Sequence, residues 1–100
     1  MFDTGIAVEI PHGFFLEMRP RSGLATEGVI IVNSPTVIDE DFRSSVKVIM
    51  AIVSGKRKTI YVGDRICQCR LVPILPIEWV EVDGLSETKR GTNGLGSSGR

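Results

Sequence analysis

Thr36-Val37-Ile38-Asp39-Glu40-Asp41-Phe42-Arg43 is the stretch on which the fold turns. An apolar run, Val29 to Val32, leads into it through Asn33-Ser34-Pro35, and a second run, Val46 to Val53, leads out. Two strand-like segments joined by a polar turn predict a long β-hairpin arm. Near its tip Asp39 follows two apolar residues. A carboxylate beside apolar neighbours is a candidate general base for activating water, because burial raises its pKa towards neutrality. Asp39 and Asp41 equally suit an Asx-type turn, and on this stretch alone the turn is the simpler reading.

Upstream, Gly5 to Ile10 alternates as a half-buried strand with Ile6, Val8 and Ile10 on one face. Pro11-His12-Gly13 is a turn. Phe14 to Arg19 is the next strand, with Phe14, Leu16 and Met18 on a common face and Pro20 as its stop. Arg21 to Ala25 breaks the β pattern and suits a short helical turn with Ser22 as N-cap, ended by Gly28. Downstream of the arm, Lys56-Arg57-Lys58 is a basic turn. Thr59 to Val62 is a short strand, Gly63-Asp64 a turn, and Arg65 to Val72 another strand. A last extended segment between Pro73 and Val82 carries Trp79. Short strands at this spacing predict an all-β barrel or sandwich.

The chain has one hundred residues, 42% apolar and 24% charged, which allows one domain with a modest core. Twelve basic and twelve acidic side chains cancel, so neither a nucleic-acid nor an anionic-membrane partner is expected. No run has the length of a membrane span and no signal peptide is visible, which makes the cytosol the default compartment. Cys67 and Cys69 share a strand face, too far apart for a disulfide. With a single histidine, His12, they are too few for a zinc site, so no metal ligands are assigned on the protein.

Residues 1–83 read as the β domain and residues 84–100 as a flexible tail holding five of the eleven glycines. Such a tail buries too little surface to order itself. Yet Arg90-Gly91-Thr92-Asn93-Gly94-Leu95-Gly96-Ser97-Ser98-Gly99 has the chemistry of a phosphate wrap. Its glycines let backbone N–H groups converge, its hydroxyls add donors, and Arg90 adds charge. Gly94 to Gly99 also fits GxGxxG, but without the strand and helix that a dinucleotide site requires.

Four stretches in order, Arg21 to Ala25, Asn33 to Arg43, Gly63 to Gln68 and Arg90 to Gly99, resemble the second to fifth motifs of the trimeric dUTP diphosphatases (dUTPases). The opening Asp3 to Pro11 looks like that family's strand before the second motif. The resemblance implies a β-barrel or distorted jelly roll, assembled as a homotrimer with sites at the subunit interfaces. It implies hydrolysis of dUTP to dUMP and pyrophosphate, with Mg2+ bound mainly through the triphosphate. Asp39 matches the aspartate that deprotonates the attacking water. Asn33, Val37 and Ile38 match the hairpin that reads uracil, Phe42 the ring under deoxyribose, and Lys47 the return of that hairpin past the base. Arg21, Ser22, Gly23 and Gln68 match phosphate contacts. Arg90 matches an arginine reaching the γ-phosphate, Leu95 the position that stacks on the base, and Gly96, Ser97 and Ser98 the closing tail.

The chain departs from the family pattern at several points. The first motif, an Ala-Gly-x-Asp-Leu type stretch, has no counterpart here. Phe42 stands for a tyrosine and Leu95 for a phenylalanine, the latter losing aromatic overlap of the order of 1 kcal/mol. Thr36 and Ser44 stand for glycines. Such divergence suits a virus or phage origin, and then the host cytoplasm. Two other functions fit parts of the pattern: a dUTPase-like module that binds nucleotide or protein without turnover, and a dCTP deaminase. The deaminase lacks support in Gly23, Thr26 and the missing glutamate base on the hairpin.

Overall fold

The computed structural model describes residues 1–97 and 99. In chain order its elements are β1 (Phe2–Asp3), β2 (Phe14–Pro20), α1 (Ser22–Thr26), β3 (Val29–Ile31), β4 (Thr36–Ile38), β5 (Lys47–Val48), β6 (Met50–Ile52) and β7 (Cys67–Pro73). All strand pairs are antiparallel. The central sheet has the order β4-β2-β7, and the pairs β1-β5 and β3-β6 complete the β layer.

β2 is the middle strand of the central sheet, half-buried along Phe14–Glu17 and reaching the core at Met18. Met18 points inward and is buried, and it packs with Ile31, Val46 and Val48. Ile38, Met50, Ile66 and Cys67 close around that cluster. Cys67 and Cys69 are free thiols, and burial pushes the Cys67 thiol up.

The two apolar runs of the arm do pair, Val29 with Ile52 and Ile31 with Met50, and Val32 N–H donates to Ile49 O at 2.8 Å. Beyond that base the limbs fork. A turn closed by Ser34 N–H to Ile31 O, followed by donor-less Pro35, redirects the first limb, so that Thr36–Ile38 joins β2. Lys47–Val48 pairs instead with Phe2–Asp3.

Gly5 to Ile10 is not a strand. Asp3 Oδ1 accepts the Gly5 N–H at 2.9 Å and Thr4 Oγ1 accepts the Ile6 N–H at 3.1 Å, so side chains take the amides a ladder would need. Gly5 also bends the chain at φ +69°. Thr59 to Val62 fails for a similar reason: Tyr61 N–H is held by Asp64 Oδ2 at 2.9 Å within the Gly63-Asp64 turn. The N-cap of α1 is Arg21, whose carbonyl accepts the Ala25 N–H at 3.0 Å and whose side chain, a donor only, makes no capping bond. That leaves Ser22 one residue inside the helix. The strand expected from Arg65 starts at Cys67. Past Pro73 the described residues form no further strand, and Leu75, Ile77, Trp79, Val80 and Leu85 stand exposed.

Gly28 ends the helical turn at φ +83°, and a Cβ there would lie 2.5 Å from Ser54 Cβ. Gly28→Ala should therefore cost about 2–3 kcal/mol, seen as a lower melting temperature. Gly84→Ala, with nothing within 4 Å and no positive φ, should leave it unchanged.

Candidate functional site

Register brings distant motifs together. In β2 and β7, Arg19 pairs with Gln68 and Pro20 with Cys67. The chain then turns through Arg21 into α1, which sets Ser22 and Gly23 near the start of β7. Gln68 Nε2 donates to Pro20 O at 3.0 Å, and Arg21 Nη1 donates to Arg65 O at 3.4 Å. Arg21, Ser22, Gly23 and Gln68 thus line one open pocket of about 460 Å³. Leu24, Glu27 and Arg65 complete its wall. Arg65 lies inside a stretch already singled out by its sequence. Glu27 carried no local signal.

Asp39 is exposed at the end of β4, and its carbonyl accepts the Phe42 N–H at 3.1 Å. Ile38 pairs with Leu16, so Asp39 sits beside the start of β2. Arg21 follows the other end of that strand, about six residues or roughly 20 Å away. Within one chain, Asp39 and the arginine pocket do not meet. β4 is the edge strand of its sheet, so the main chain at Val37 and Ile38 has one side unpaired.

Thr36 is buried, and its Oγ1 lies 3.3 Å from Asn33 O and 3.2 Å from Asn33 Oδ1. The threonine thus fixes the asparagine side chain rather than loosening the arm. Phe42 is partly exposed on the turn, and Lys47 pairs with Asp3 across β5 and β1. The Gly5 N–H, the Ser45 hydroxyl and Lys47 hold the Asp3 carboxyl below its ordinary 3.8. Nothing in the structure explains Ser44.

The turn at Asp39 is tied to the 12–13 turn. Glu40 accepts the Gly13 N–H at 2.7 Å, and His12 Nδ1 lies 2.9 Å from its other oxygen. These two partners, Gly13 first, hold the Glu40 carboxyl below its ordinary 4.5. A depressed carboxyl pKa stabilises the fold above the unfolded value, and that contribution is lost as pH falls through the folded value. The Gly13 amide should then titrate in NMR with a midpoint below 4.5, and Glu40→Gln should abolish that transition.

In the tail, Arg90 Nε donates to Asn93 O at 2.7 Å, and Ser97 N–H donates to Gly94 O at 3.0 Å. Leu95 is exposed with φ +47°, next to Gly96 at +86°. Ser98 lies outside the described residues. The hydrogen bonds of described residues 88–99 stay within the segment.

The dUTPase family model matches residues 1–99. The chain belongs to the dUTPase family.

A deoxyuridine 5'-triphosphate nucleotidohydrolase of Hydrogenobaculum sp. (strain Y04AAS1) is 47% identical over 100 residues, covering 99% of this chain and 69% of the relative. Bacterial relatives of that name are spanned over 63% to 71% of their length. A solved point mutant of Staphylococcus bacteriophage 80alpha dUTPase with dUpNHpp superposes with a TM-score of 0.74 at 24% identity, covering 94% of this chain and 72% of that one. At that identity the likeness fixes the fold, a jelly-roll-like β arrangement in agreement with the expected class. A mutant dUTPase from phage phi11 of S. aureus, described with a structural Mg(II) ion, has a TM-score of 0.61 at 20% identity over 78% of this chain and 67% of that one.

Among the described residues of this chain, no group of three His, Cys, Asp or Glu side chains is placed to hold a metal. The pocket offers two arginines, a glutamate, an amide and a hydroxyl. That donor set suits a magnesium ion that arrives on phosphate oxygens.

Proposed function

We propose that this chain hydrolyses dUTP to dUMP and pyrophosphate in a site assembled from more than one copy of itself. One observation carries the proposal. Arg21, Ser22, Gly23 and Gln68 converge on one pocket, while Asp39 stands at the opposite end of the same strand. A second copy is the simplest source of the missing half. The surface supports this too. The chain exposes 8609 Å², whereas a compact monomer of 10.9 kDa would expose about 5,600 Å². A run of exposed apolar side chains lies between Ile74 and Leu85. A homotrimer, as the family resemblance implies, would cover it.

In the proposed reaction, the unpaired edge of β4 at Val37 and Ile38, with Asn33, reads the donor and acceptor edge of uracil. Main-chain groups there mimic base pairing and reject cytosine. Phe42 packs under the deoxyribose, and Lys47 follows where the arm returns. Asp39 accepts a proton from water as its oxygen attacks the α-phosphorus. The bond from that phosphorus to the bridging oxygen breaks, and pyrophosphate leaves. Arg21, Ser22, Gly23 and Gln68 grip the phosphates and so hold the Mg2+ they carry. That ion supplies charge neutralisation on the triphosphate. Residues 84–100 form the strap of a neighbouring copy: Arg90 faces the γ-phosphate, Gly96, Ser97 and Ser98 wrap the chain, and Leu95 covers the base.

Incubation with dUTP and magnesium should release pyrophosphate. Nucleotide binding without product would make the protein a binding module. Ammonia from dCTP would make it a deaminase.

A further inference from the structure

We infer that Lys58 is a positioning residue of the phosphate pocket: its ammonium pins the Glu27 carboxylate and cancels the charge Glu27 would set against a phosphate chain. The inference rests on the reading of the Arg21 pocket as a phosphate site.

Glu27 is the acidic member of that pocket's lining. Its backbone is fixed on both sides. Its N–H donates to Leu24 O at 3.0 Å and its carbonyl accepts the Ser54 hydroxyl at 3.0 Å. The next residue, Gly28, accepts the Val53 N–H at 2.7 Å. These bonds fix the point at which the Glu27 side chain leaves the main chain in the pocket wall. Lys58 Nζ stands 2.7 Å from Glu27 Oε2. Glu27 raises the Lys58 pKa above its ordinary 10.5, so the ammonium is kept. Lys58 does not line the pocket. It borders the adjoining hollow with Arg21, Leu24 and Arg65.

The charge balance shows why the lysine matters. Arg21 and Arg65 bring two positive charges and Glu27 removes one. Lys58 restores the second. A phosphate chain carries several negative charges, so one unit at this range changes affinity several-fold even when screened. Lys58 belongs to the basic turn 56–58, which reads from sequence as no more than a solvated tip.

The test measures dUTP kinetics and the binding of inorganic tripolyphosphate in parallel. Lys58→Met should raise KM about fivefold with kcat within about twofold, and weaken tripolyphosphate binding by a similar factor. Glu27→Gln should bind tripolyphosphate at least as well as the parent. The double variant Glu27→Gln/Lys58→Met should return both quantities to within about twofold of the parent. Unchanged affinity in Lys58→Met overturns the inference. So does a double variant as weak as Lys58→Met, which would mean direct phosphate contact by Lys58. Weak binding in Glu27→Gln would reduce the pair to a structural tie. If the parent releases no pyrophosphate from dUTP, the function fails, yet the tripolyphosphate titrations still decide the role of Lys58.

Discussion

Asp39→Asn should cut kcat on dUTP by about a hundredfold or more while KM stays within about threefold. Asparagine keeps the shape of the side chain and its place on the turn, where the backbone carbonyl of residue 39 holds the Phe42 N–H. What it loses is the ability to accept a proton. Binding energy in the proposed site comes from the β4 edge and the arginine pocket, and neither is touched. A variant with weaker dUTP binding and an intact rate would remove Asp39 from the chemistry. Glu40 is not a substitute base, because its carboxylate is engaged by Gly13 and His12.

Ending the chain after Lys89 should lower turnover by about a hundredfold, with the melting temperature within about 1 °C of the parent. The hydrogen bonds of described residues 88–99 are internal to the segment, so its removal leaves no buried group unpaired in the sheets. The loss in rate would come from Arg90 and the glycine-linked amides that close on the phosphates. Arg90→Ala should reproduce most of it if that side chain faces the γ-phosphate as proposed. A large fall in melting temperature on truncation would instead make the tail part of the core.

β2 and the core of β7 were legible because period-two alternation and Gly/Pro punctuation are local signals. Of the three residues that alternation sets on one face, Phe14, Leu16 and Met18, the last is buried. Gly5 to Ile10 and Thr59 to Val62 alternate as well, yet side chains at Asp3, Thr4 and Asp64 capture the amides those strands would need. Hydropathy is blind to that competition. The fork of the arm was equally hidden, because it depends on which strand β4 finds beyond Pro35. At the site, the motif residues of one pocket could be grouped by resemblance before any coordinates. The roles of Thr36 and Glu27 could not be. The first depends on a contact with Asn33 within the turn, and the second on a lysine thirty-one positions downstream.

The proposed site joins Asp39 of one copy to the pocket of another. Its most direct test mixes two inactive variants, Asp39→Asn and Arg21→Ala, unfolds them together and lets them reassemble. If the site is shared between copies, some interfaces unite an intact Asp39 with an intact Arg21, and activity should return to about a quarter of the parent's. Activity no higher than the sum of the two separate variants, in a mixture shown to have exchanged subunits, would contradict a shared site.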